Sequence, residues 1–180
     1  MSLESQLQDI TNQIVEFVRT HEVWAAPVVG VLAFGESLAF ISLLIPAWAI
    51  LVALGALIGK SGISFWPILV AGAVGAALGD WLSYWVGVKV GPAVGHMWPL
   101  SRNPGLIPRG ERFVARWGAL AIFIGRFFGP LRAAVPLVAG VFFMPFWRFQ
   151  VANFVSAFVW VAVVLTLGDV IARIFQLIWP

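Results

Sequence analysis

The sequence predicts an all-helical membrane domain made of two oppositely inserted halves, each a re-entrant hairpin followed by a crossing helix. Three observations predict it. The 180-residue chain is 61% hydrophobic and only 11% charged, against ~25% charged in soluble domains. A chain this short has too much surface for its volume to hide that apolar area from water. Of four apolar regions, two are long enough for one full crossing each, and the other two are interrupted, at Pro46 and at Gly129, Pro130 and Pro136. The two halves also repeat one order of elements.

Each element has its own signal. Leu3, Leu7, Ile10, Ile14 and Phe17 recur at spacings of four and three, on one face of a helix. An amphipathic helix over 1–22 is expected, lying in the membrane interface or packed on the rest of the domain. Glu4, Asp9, Glu16 and Glu22 against Arg19 argue against a cleavable leader, whose start would be basic. Residues 23–180 are expected to form one membrane domain. It divides into a re-entrant hairpin over 24–59, a transmembrane helix over 64–91, a polar connection over 92–116, a second re-entrant hairpin over 117–144 and a transmembrane helix over 146–175.

Length decides these assignments. A helix crosses ~30 Å of hydrocarbon in roughly 20 residues. From Trp117 to Phe128 is 12 residues, about 18 Å of helix, which cannot span. Gly129, Pro130 and Pro136 interrupt the remainder of that apolar region, and Pro46 interrupts the first hairpin. Broken backbone at membrane depth needs protein or a wet cavity around it, so these breaks imply a polar interior. Trp24, Trp66, Trp98, Trp117, Trp147 and Trp179 fall near the ends of apolar regions, where aromatic anchors belong.

The repeat is explicit. Gly35, Glu36 and Pro46 match Gly125, Arg126 and Pro136 at an offset of 90, and Leu78-Gly79-Asp80 matches Leu167-Gly168-Asp169 at 89. Each half crosses once, so the second must be inverted. Inverted repeats with broken helices are the architecture of many secondary transporters, with the site at the repeat interface.

Glu36, Asp80, Arg126 and Arg132 lie inside apolar stretches, where a charge costs roughly 2.5–3.5 kcal/mol by insertion scales. The acids are expected to face the arginines across the contact between hairpins. The pairs are either structural ties or a site. Arginine keeps its charge and grips phosphate oxygens in a bidentate fork, so Arg126 and Arg132 could hold an anionic head group. A carboxylate in apolar surroundings can take up a proton. Protonating Glu36 would release an arginine, and Asp80 is the other candidate for coupling. Asp169 and Arg173, four apart near a helix end, read as a local ion pair.

Other classes find little support. With no cysteine the chain forms neither a disulfide nor a thiolate metal site, and a net charge of +3, scattered as it is, does not point to nucleic acid. There is no zinc spacing, no GxSxG and no Ser/Lys arrangement. The LGD segment lacks the GxGD form of intramembrane aspartyl proteases, because residue 77 is alanine. No enzymatic activity, cofactor or metal is expected.

The segment GRFFGPLRAAVPLVAGVFFM at 125–144, followed by Phe149, Asn153 and Trp160, resembles the signature of the DedA family, also called SNARE-associated or VTT-domain membrane proteins. Glu36, Pro46, Ala53-Leu54-Gly55-Ala56, Gly79-Asp80, Tyr84, Gly87 and Gly91 resemble its first half. The resemblance covers roughly residues 24–175. It implies two facing re-entrant loops, the bacterial inner membrane, and movement of undecaprenyl phosphate or phospholipid between leaflets. It also implies essential roles for Glu36, Arg126 and Arg132. The family's second acid, in a Pro-Gly-Asp/Glu turn, is absent: the turn here reads Pro46-Ala47-Trp48. That shifts proton coupling toward Asp80 or points to a different substrate.

The leading expectation is a lipid-phosphate translocase. Its partners would be membrane lipids bound through an anionic head group, and a homo-oligomer is compatible with it. The alternatives are a proton- or cation-coupled exporter of small molecules and a membrane assembly factor that transports nothing. Arg102, Arg109, Arg112 and Arg116 argue for a cytoplasmic connection, whereas the resemblance favours cytoplasmic termini.

Overall fold

A computed structural model describes residues 20–38, 48–61, 63–96, 98, 100–102 and 104–178. Among them are α1 (Glu22–Ser37), α2 (Trp48–Ser61), α3 (Phe65–Val90), α4 (Leu106–Trp117), α5 (Ala119–Gly125), α6 (Gly129–Val141) and α7 (Phe146–Ile178). Short 3₁₀ turns lie at Gly91–His96 and Leu100–Arg102, and the described residues contain no strand. The helix expected over 1–22 falls outside the described residues up to residue 19, and Pro46 lies outside them too.

Length sorts the helices into two kinds. α3 has 26 residues and α7 has 33, about 39 and 50 Å of helix. Phe65–Val90 and Phe146–Ile174 are long and apolar enough to cross a membrane. α1, α2, α5 and α6 have 16, 14, 7 and 13 residues, about 10–24 Å, and none reaches across ~30 Å. α1 ends where Leu38 turns to extended backbone. Gly118, with φ 55°, separates α4 from α5 in a conformation that glycine enters without a Cβ penalty.

Two expectations are corrected. Pro136 is not a break, because it lies inside α6. It removes the N–H that would bond the carbonyl of Arg132 and crowds that carbonyl with its ring, and contacts of α6 with α3 and α4 hold the helix across it. Pro130 stands in the first turn of α6, where a missing N–H costs nothing. The break is the turn at 126–128 just before it. The connection over 92–116 is also more than a polar link. Its second part is α4, which seats Gly110 on Val138 and buries Val114 while Arg109, Arg112 and Arg116 stay exposed.

α1 runs beside α3 in the same direction: Gly30 meets Ala71, Phe34 meets Gly79 and Ser37 meets Ser83. α3 and α7 run antiparallel: Gly72 faces Val161, Ala77 bonds Asn153, and Tyr84 stacks on Phe149 at 4.5 Å. α5 packs on α7, α2 on α7 and α6 on α3. The last two contacts require glycine. A Cβ on Gly55 or Gly168 would strike backbone of α7 or α2, and one on Gly87 or Gly140 would strike backbone of α6 or α3. Small residues that let backbones approach are how membrane helices associate. Outside, Val74, Trp81, Trp85, Phe158 and Val163 are exposed, whereas four charged side chains are buried. That distribution suits hydrocarbon rather than water.

Candidate functional site

α1 stops beside the middle of α3, and α5 stops beside α7. Their ends bring together the four charges singled out in the sequence. Glu36 is 5% exposed, Asp80 3%, Arg126 3% and Arg132 7%, so none is solvated by bulk water. They form two pairs, each joining the two halves of the chain.

Arg126 sits in the turn after α5. Its Nη2 donates to Asp80 Oδ2 at 2.5 Å and to Asn153 Oδ1 at 2.6 Å, with the Asn153 carbonyl at 3.3 Å. Its Nε donates to Ser156 Oγ at 3.0 Å. The acceptors are themselves tied down. Asn153 Nδ2 donates to the Ala77 carbonyl at 2.9 Å and to Gln150 Oε1 at 3.2 Å, and the Ser156 hydroxyl donates to the Asn153 carbonyl at 3.0 Å. Arg126 therefore binds α3 and α7 to the end of α5.

Arg132 lies one turn into α6. Its Nη1 donates to Glu36 Oε1 at 2.8 Å and its Nη2 to Ser37 Oγ at 3.2 Å, both at the end of α1. The guanidinium carbon lies 4.1 Å from the centroid of the Trp160 ring, within cation–π range. The Ser83 hydroxyl, one turn after Asp80 on α3, lies 3.4 Å from the carbonyl of Ser37, next to Glu36, so the two pairs are neighbours. The four side chains thus form one cluster of two positive and two negative groups.

The cluster leaves some hydrogen-bonding capacity unused. Among the described residues, Arg126 Nη1, Arg132 Nε and Asp80 Oδ1 are buried without a hydrogen-bond partner. Such groups cost roughly 1–3 kcal/mol each, more when charged, so the site holds donors that an anion could satisfy. Asp169 stands apart: its Oδ2 accepts from Arg173 Nε at 3.0 Å on the exposed end of α7.

The neutral partners Ser37, Asn153, Ser156 and Trp160 had no role assigned from the sequence. A signal existed for the last three. Spacings of three and four put Asn153, Ser156 and Trp160 on one face of α7, the pattern of a stripe aimed at a neighbour.

The VTT domain profile matches residues 45–170, well over half the chain. The inner membrane protein YabI of Escherichia coli is 35% identical over 145 residues, which is 80% of this chain and 57% of YabI. An uncharacterized membrane protein of Synechocystis is 35% identical over 153 residues, 81% of this chain and 67% of that protein. One of Mycobacterium tuberculosis is 32% identical over 166 residues, 89% and 70%. The chain spans little more than half the length of YabI. No solved structure matches it. Long apolar helices, a buried charge cluster and these likenesses converge, and the chain belongs to the VTT-domain, or DedA, family of membrane proteins.

Proposed function

We propose that this protein is a multi-pass transporter of the bacterial inner membrane that moves a lipid phosphate, undecaprenyl phosphate or a phospholipid, between leaflets. One observation carries the reading: two buried arginines, each paired with a carboxylate of the other half, meet inside an apolar helical body and keep unused donors. Arg126 and Arg132 grip the head group, and no covalent bond is made or broken. Protonation of Glu36 removes the charge that holds Arg132, which then turns to the lipid phosphate.

The hairpin and inverted-repeat architecture belongs to the same proposal. α1 ends opposite 79–83 of α3, and α3 begins level with the start of α1, so the chain returns between them. α2 and α6 each pack on the long helix of the other half. Both features support arms that enter and leave on one side. A second reading, a proton- or cation-coupled exporter, draws on Asp80 Oδ1, an unused carboxylate oxygen beside the cluster.

Reconstituted vesicles test the proposal. Removing one member of a buried pair leaves an uncompensated charge, which costs roughly 3–5 kcal/mol. The variants are therefore paired: Glu36→Gln with Arg132→Gln, and Asp80→Asn with Arg126→Gln. Both should remain folded and lose lipid exchange between leaflets. Normal exchange by both would reduce the pairs to structural ties, as an assembly factor requires. Loss of soluble-solute uptake with lipid exchange intact would favour the exporter.

A further inference from the structure

Two open grooves run along the outside of the helical body. One, of about 770 Å³, lies between α1 and α3 against Val31, Phe34, Val70 and Val74, and no charged residue lines it. The other, of about 500 Å³, lies between α5 and α7. Leu120, Phe123, Val151 and Val155 form its walls, and Trp147 and Arg148 stand at its α7 amino-terminal end. Arg148 is exposed and makes no ion pair among the described residues. From Arg148 to Val155 the groove follows about 10 Å of helix. On another face of the same stretch, Asn153 and Ser156 hold Arg126.

We propose that the α5–α7 groove is a docking site for an anionic phospholipid of the surrounding bilayer, with an acyl chain along Leu120, Phe123, Val151 and Val155 and the phosphate on Arg148. The apolar walls match a hydrocarbon chain. A single cation beside an aromatic ring, at the end of a membrane helix, matches a negatively charged head group at interfacial depth. The α1–α3 groove offers the same apolar surface with no cation, so it accepts lipid without regard to charge. Charge selectivity therefore separates the two grooves.

The absence of cysteine makes the test direct. Val151→Cys and Val31→Cys, both exposed on groove walls, are each labelled with a photoactivatable benzophenone. The full chain is placed in nanodiscs of equal phosphatidylglycerol and phosphatidylcholine, and the lipid adducts are weighed by mass spectrometry. Adducts at position 151 should favour phosphatidylglycerol about fivefold over those at 31, the preference one basic side chain near an anionic head group confers. Arg148→Gln should erase the preference and Arg148→Lys should retain it. Equal ratios at the two positions, or a preference that survives Arg148→Gln, would overturn the assignment. The readout is equilibrium occupancy, so it can fail while lipid exchange persists, and the reverse.

Discussion

The two buried arginines are held in different ways. Arg126 has a carboxylate plus three neutral contacts from Asn153 and Ser156, and those residues are bonded in turn to the backbone of α3 and α7. Arg132 has one carboxylate, one hydroxyl at 3.2 Å and an aromatic face. The dipoles around Arg126 keep it in place whatever becomes of Asp80. The position of Arg132 depends on Glu36. In the proposed function Arg126 is thus the frame of the cluster and Arg132 the member that moves.

The largest expected effect breaks the frame. Asn153→Leu takes an amide acceptor from Arg126 and a donor from the Ala77 carbonyl. Hydrogen bonds to charged groups are worth about 1.5–3 kcal/mol each and neutral ones less, so a loss of about 3 kcal/mol is expected. The matching change beside Arg132, Ser37→Ala, removes one long hydrogen bond from a charged donor, 3.2 Å, and should cost about 1.5 kcal/mol, the low end of that range. Thermal unfolding in detergent, followed by tryptophan emission, measures both. Equal losses would mean that the two arginines are anchored alike.

The aromatic face gives a smaller and more specific effect. Trp160→Leu keeps an apolar side chain at a 5% exposed position but removes the ring under Arg132. A desolvated cation–π contact is worth about 2 kcal/mol. If Trp160 holds Arg132 while Glu36 is protonated, the substitution should slow lipid exchange more at pH 6 than at pH 8. Exchange rates in vesicles at the two pH values would show it. An equal slowing at both would make Trp160 a packing residue only.

Much of the frame was legible in the sequence, for physical reasons. Charges are too costly in hydrocarbon to stand there idle, so Glu36, Asp80, Arg126 and Arg132 could be picked out and expected to meet. Run length against bilayer thickness picked out α3 and α7 as candidate spans. The neutral partners were harder to read. Serine and asparagine in an apolar helix also serve simple close packing, and only the antiparallel register of α3 and α7 aims Asn153 at Arg126. Pro136 misled because proline usually ends a helix, yet tertiary contacts can carry a helix across it. α4 was hidden because Arg102, Arg109, Arg112 and Arg116 make 92–116 read as a polar connection, although the arginines at 109, 112 and 116 occupy only the exposed side of a helix whose other side packs on α6.

The smallest expected effect sharpens the comparison from outside the cluster. Asp169 and Arg173 form an ion pair at 3.0 Å, only slightly longer than the Glu36–Arg132 pair at 2.8 Å, but the Arg173 side chain is 71% exposed. Water and salt screen such a pair, and i,i+4 pairs of this kind are worth about 0.3–0.5 kcal/mol. Arg173→Ala should therefore leave unfolding and lipid exchange almost unchanged, and raising the salt concentration should mimic it. The buried pairs should be indifferent to the same salt, because screening reaches them far less. If Arg173→Ala disturbed exchange as strongly as the paired variants at Arg126 and Arg132, burial would not be what distinguishes the site. The repeated LGD segment would then be functional in both halves, with Asp169 acting in the second half as Asp80 does in the first.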